Sequence, residues 1–231
     1  MTRVAALVLT LAASLTARAD EGPARAREWL IPETPAARGG IDVEGAALPG
    51  SSGWGFVDLE ADDPSGFMAR AELGKELWRA EHSLRTFGTL ALGWRWKRPF
   101  ETGVTAVMVN EPTTDPAAGG AGFYLGAGRP EGVRANLILA NVFGGYTQSI
   151  VLGYELQLPI LVRPRVRIAL RGRGFFASPG PHTSVHRVSL QCLIDQRWAL
   201  QAGAVFDRRP LDVLDPVQAR GLLVGLGTRI R

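Results

Sequence analysis

The chain has one cysteine, Cys192, in 231 residues, which excludes an intrachain disulfide and with it the small stapled scaffolds of secreted domains. Lysine is almost as scarce. Only Lys75 and Lys97 occur, so the net charge of +4 is carried by arginine. Long apolar runs are missing too: beyond Ala19 no stretch supplies the roughly eighteen consecutive apolar residues of a membrane-spanning helix. No segment of useful length repeats at the helical period, which removes alternating strand and helix architectures as well. Helix-turn-helix, zinc-ligand and base-stacking motifs are absent, so the basic excess does not point to nucleic acid. Paired-carboxylate, metal-ligand and phosphate-cradling glycine patterns are absent as well, so neither a cofactor nor a metal is expected.

What is present begins with Met1 to Ala19: Arg3 near the start, an apolar run from Val4 to about Leu15, and Ala17-Arg18-Ala19 before Asp20. This is the charge, apolar core and small-residue cleavage pattern of a secretory signal peptide. Residues 20–39, rich in Ala, Pro, Gly and charge, read as a flexible periplasmic tail or linker, with a plug for the following domain as the alternative. Residues 40–231 then form one domain, rich in the 28 glycines that suit a turn-rich all-β chain.

Residues 162–174 set the pattern for that domain. Val162, Pro164, Val166, Ile168 and Leu170 fall on one side, and Arg163, Arg165, Arg167, Arg171 and Arg173 on the other. Successive side chains of a strand point to opposite faces, so one face is apolar and the other crowded with guanidinium groups. Two folds accommodate this: a soluble sandwich with its charged face in water, or a membrane barrel with lipid outside and a wet interior. Alternation alone does not separate them. We expect the second, an all-β antiparallel up-and-down transmembrane barrel, with a soluble periplasmic β-sandwich binding protein as the alternative.

Similar runs occur at 40–48 (weak), 54–61, 67–78, 84–97, 103–110, 121–128, 133–142, 148–158, 184–194, 197–207 and 219–230. Most reach the roughly 9 to 11 tilted residues that cross a hydrocarbon layer. Turn chemistry separates them, as at Asp62-Asp63-Pro64-Ser65-Gly66 and Ser178-Pro179-Gly180-Pro181. Connections at 111–120, 175–183 and 208–218 are expected to be long, and those at 129–132, 159–161 and 195–196 short. With the weak run counted the total is twelve, with ten as the alternative. The faces are consistent from run to run: Ile150, Leu152, Tyr154 and Leu156 oppose Ser149, Gly153, Glu155 and Gln157, and Leu222, Val224, Leu226 and Ile230 oppose Gly221, Gly225, Gly227 and Arg229. Trp78, Trp94, Trp96, Trp198 and Tyr154 lie where an aromatic girdle would sit.

Together the leader, the alternating faces and the loop asymmetry resemble bacterial outer-membrane β-barrel proteins, a likeness of architecture over residues 40–231. The likeness implies an outer-membrane location with lipid as partner. Within that group the small porins specific for oligogalacturonate are similar in length and place Arg in the lumen, which implies a passive channel for small anionic solutes or acidic sugars. Such proteins end on an aromatic residue, and here the chain departs with Thr228-Arg229-Ile230-Arg231.

Candidate anion-binding residues are therefore Arg163, Arg165, Arg167, Arg171, Arg173 and Arg187, with Arg134 nearby. Guanidinium forks bind carboxylate or phosphate, and a low-dielectric wall focuses their field. The alternative is that they pair with Glu72, Glu76 and Glu155 and fill the interior as a structural barrel. An enzymatic reading rests on His182, Ser184 and Asp195, or on His186 near Ser189, and resembles the outer-membrane lipid A deacylases. That pattern has Asn where this chain has Val185, and an acid where it has Gln196. Oligomeric state is not indicated by any of these features.

Overall fold

The computed structural model describes residues 38–48, 52–79, 84–96, 100–111, 115–128, 132–144, 149–162, 166–178, 184–195, 197–209 and 217–230. The proposed leader and tail up to residue 37 lie outside them. Twelve strands follow one another: β1 (Arg38–Leu48), β2 (Ser52–Asp62), β3 (Phe67–Arg79), β4 (Thr86–Arg95), β5 (Phe100–Glu111), β6 (Asp115–Gly128), β7 (Arg134–Phe143), β8 (Ser149–Val162), β9 (Val166–Ser178), β10 (Ser184–Ile194), β11 (Trp198–Arg209) and β12 (Val217–Ile230). Each pairs antiparallel with the next, and β1 pairs with β12, so the sheet closes on itself as an up-and-down barrel. Closure leaves no unpaired strand edge, as a β protein in lipid requires. The weak run at 40–48 is a full member, paired along its length with both neighbours.

Two expected long connections are shorter than the sequence suggested. β6 starts at Asp115 and β9 continues to Ser178, leaving 112–114 and 179–183 between strands. The Ala and Gly of 117–120 carry no alternation, yet they still pair, Met108 opposite Gly119 and Val109 opposite Ala118. Backbone pairing needs no side-chain pattern, so the period-2 signal ended before the strand did.

We call the end where β1 begins and β12 finishes the proximal end, and the opposite one the distal end. The β2 to β3 turn at the proximal end behaves as its composition predicts. Gly66 takes φ 109°, open to glycine at little cost. The Gly66 N–H donates to the Asp63 carbonyl at 3.0 Å, and the Ser65 N–H to Asp63 Oδ1 at 2.8 Å. Hydrogen bonds from the Ser65 hydroxyl and backbone N–H hold the Asp63 carboxyl below the usual range.

The faces follow the alternation. Leu222 (78 % exposed), Phe123 (69 %) and Val104 (61 %) point outward, whereas Arg171 and Arg187 (both 3 %) point into the lumen. This is the inverse of a soluble sandwich, which would turn its arginines to water and bury its leucines. Trp94, Trp96 and Trp198 project outward toward the proximal end, joined by Phe67 and Phe100. The Trp78 side chain lies outside the described residues.

The outward belt predicts its own sensitivity. Val104 pairs with Phe123 in the middle of the β5 to β6 ladder. Val104→Arg is expected to cost about 2 to 4 kcal/mol, the price of a cation near the bilayer midplane. Reversible unfolding in phospholipid vesicles, read by heat-dependent gel mobility, checks it. A change below about 0.5 kcal/mol would place this face outside hydrocarbon.

Candidate functional site

The closed sheet encloses a lumen, and its contents come from the inward-facing residues of all twelve strands. Of the arginines singled out in sequence, Arg171, Arg173, Arg187 and Arg134 are buried in it. Arg167 lies on the same alternation of β9, half-buried near its proximal end. Arg163 and Arg165 lie outside the described residues.

What meets these guanidinium groups is the chain's own carboxylates. Arg171 on β9 binds Asp42 of β1 and Glu155 of β8, each at 2.8 Å. Arg173 contacts Glu155 at 3.1 Å and reaches Asp58 of β2. Arg187 on β10 sits among Glu44 at 2.5 Å, Asp58 at 3.1 Å and Glu72, and its guanidinium stacks over Phe56 at 4.2 Å. Arg134 binds Glu60 at 3.0 Å. Several pairs, such as Arg173 with Asp58, join strands on opposite walls, so side chains bridge the lumen rather than line it.

A second network closes the proximal end. Arg70 contacts Glu60 at 3.2 Å, Asp62 at 3.3 Å and Glu101 at 3.2 Å, and its Nε donates to Tyr124 Oη at 3.1 Å. The Tyr124 hydroxyl donates in turn to Glu101 at 2.9 Å, while Arg95 binds Glu101 at 2.5 Å and Asp62 at 3.2 Å. A buried charge is tolerated only when paired and hydrogen-bonded, and these networks meet that condition.

Toward the distal end the lumen changes character. Trp54, Phe56, Phe87 and Phe175 pack across it, Phe87 and Phe175 with ring centroids 4.3 Å apart and Trp54 and Phe56 stacked at 5.7 Å. Leu48, Val142, Val185 and Leu223 complete a buried apolar layer. Beside it Asp207 accepts from Trp54 Nε1 at 3.3 Å and pairs with Arg85, which binds Glu76 at 3.4 Å. Arg85 immediately precedes β4 and Asp207 belongs to β11, on facing walls of the barrel. Between this layer and the ion pairs remains a cavity of about 70 Å³, bordered by Asp42, Asp58, Glu72, Arg70, Arg173, Phe87 and Phe175.

Of the carboxylates named as partners in the alternative reading, Glu72 and Glu155 pair with the candidate arginines, whereas Glu76 pairs with Arg85. The sequence reading missed Asp42, Glu44, Asp58 and Glu60. Their signal was available: Asp42 and Glu44, and Asp58 and Glu60, repeat at the strand period opposite apolar residues, as the arginines of β9 do. The apolar distal layer was missed as well.

The His, Ser and acid set does not assemble. Ser184 opens β10 and Asp195 follows its last residue, at the other end of the barrel wall. His182 lies outside the described residues. His186 turns outward against Tyr154, with 3.0 Å between Nδ1 and the hydroxyl, while Ser189 is buried in the lumen beside Gln201. Among the described residues no group of three or more His, Cys, Asp and Glu side chains is arranged to hold a metal ion.

No protein-family model matches the sequence, and no curated protein matches it. Similarity appears in the fold. The KdgM porin superposes with a TM-score of 0.54 at 11 % identity, covering 83 % of this chain and 99 % of that one. The KdgM porin in complex with disordered oligogalacturonate gives 0.54 at 12 % identity, with 83 % and 99 % covered. The NanC porin gives 0.56 at 10 % identity, with 82 % and 100 % covered. The chain's closed barrel is similar in fold to these porins, and at such identities the likeness concerns architecture alone.

Proposed function

We propose that the chain is an outer-membrane β-barrel, exported through its first nineteen residues, whose lumen is filled and closed at rest, so that it acts as a structural surface protein. One observation carries this reading. The aromatic layer of Trp54, Phe56, Phe87 and Phe175 crosses the distal lumen, above ion pairs that bridge opposite walls. A pore needs a continuous wet path, and a dry aromatic constriction stops ions by dewetting. The outward apolar belt and the porin architecture support the location.

A second reading is a narrow passive channel for small anionic solutes such as acidic sugars. The likeness in fold to a porin in complex with disordered oligogalacturonate favours it, as do Arg171, Arg173 and Arg187 in the lumen. In that reading the arginines would exchange their carboxylate partners for the solute.

Planar-bilayer recording of the refolded barrel separates the two. We expect no discrete conductance steps above baseline for the native chain. Steps with an anion preference that disappears when Arg163, Arg165, Arg167, Arg171 and Arg173 are all replaced by Gln would establish the channel and overturn the filled barrel.

A further inference from the structure

The outer face of the barrel is sorted by charge sign. Among the strand residues whose side chains are described, every Asp and Glu belongs to an inward position, and so does every Arg but Arg220. Arg220 and Lys75 are exposed on the outward alternation of β12 and β3. Lys75 follows Leu73 and precedes Leu77, both exposed. Arg220 precedes Leu222 at the next outward position and stands opposite outward-facing Phe206 of β11. Neither cation has an ion-pair partner among the described residues.

Their heights agree. β3 ends at Arg79 and β12 begins at Val217, both at the distal end, so each cation stands within about one turn-length of the same rim. The proximal belt carries uncharged aromatics instead, Phe67, Trp94, Phe100 and Trp198. An ionised group on a lipid-facing wall is tolerated where it reaches the headgroup level, and it then selects headgroups of opposite charge.

We propose that Lys75 and Arg220 bind the phosphate groups of an anionic glycolipid in the leaflet around the distal rim, and that this contact fixes the barrel's depth and orientation. The inference rests on the outward face lying in a membrane. The ligand class follows from sign and setting: two cations, no outward carboxylate among the described side chains to neutralise them, and alkyl chains of the same lipid able to cover Leu73 and Leu222 below. Free phosphate would satisfy the charge without using that apolar surround.

The test uses the full refolded chain in detergent and native mass spectrometry, titrated with bisphosphorylated lipid A, with the same lipid stripped of its phosphates, and with inorganic phosphate. The native barrel should retain the bisphosphorylated lipid, and lose preference for it by about fivefold for each of Lys75→Gln and Arg220→Gln, with the two losses compounding in the double variant. Arg197→Gln, in the proximal turn, should leave retention unchanged. Equal retention of the phosphate-free lipid, undiminished retention by the double variant, an equal loss in Arg197→Gln, or displacement by millimolar inorganic phosphate would each overturn the proposal. Heat-dependent gel mobility of every variant shows that the barrel is folded, so loss of the membrane barrel itself is recognised separately from loss of the lipid site.

Discussion

Arg187→Gln is expected to destabilise the barrel by about 3 to 5 kcal/mol, the cost of stranding buried charges by removing their partner. Arg187 sits at 3 % exposure among Glu44, Asp58 and Glu72, contributed by three successive strands on the wall facing β10. Glutamine keeps much of the volume and some hydrogen bonding but no charge, so three carboxylates are left around a neutral amide. The sign of the rescue is specific. Adding Glu44→Gln to Arg187→Gln should recover part of the loss, because one stranded carboxylate is removed with it. Urea unfolding in vesicles measures both. A loss below about 1 kcal/mol for the single variant would mean that water or counter-ions screen the centre of the lumen.

The second large effect concerns permeation. Phe87→Ala combined with Phe175→Ala removes the closest ring pair of the distal layer and should turn a silent barrel into a conducting one, with mean current rising on the order of tenfold or more once the constriction wets. Each truncation also carries a core cost of about 3 to 5 kcal/mol, so folded protein must first be isolated by its gel mobility. Phe87→Val, a gentler change, should fold readily and flicker. If the double variant folds and stays silent, the barrier lies in the ion-paired half, and the Arg70, Arg95 and Glu101 cluster becomes the seat of closure.

Much of the architecture was legible because alternation is a local property. Ile150, Leu152 and Tyr154 against Gly153 and Glu155 fixes two faces within one strand, and the same sorting in Trp198 to Phe206 repeats it. Even the weak run at 40–48 carried it in Ile41 and Val43 against Asp42 and Glu44. Which face is enclosed was settled only by closure of the sheet. The interior was far less legible, because its contacts join residues remote in sequence: Arg187 and Glu44 are 143 positions apart, and Arg85 and Asp207 are 122. An arginine ladder viewed alone reads as a positive surface. Apart from Glu155 on the neighbouring β8, the acids that answer it lie on β1, β2 and β3, and nothing local says that those walls face β9 and β10. The distal layer escaped for another reason. In strands such as β7, with Ile138, Ala140 and Val142 inward and Leu137 and Leu139 outward, both faces are apolar and the period-2 signal carries no charge contrast.

The join between β1 and β12 deserves a kinetic reading. Every other strand pair can form as a hairpin from sequence neighbours, whereas this one must bring together segments separated by nearly the whole domain. The bidentate grip of Arg229 on Asp42, 2.8 Å on each side, works there as a clasp. Until it fastens, two bare edges stand open, which hydrocarbon penalises heavily. In a membrane, insertion and ring closure are therefore expected to be coupled, with the meeting of the first strand and the last as the slow step, because it has the largest sequence separation.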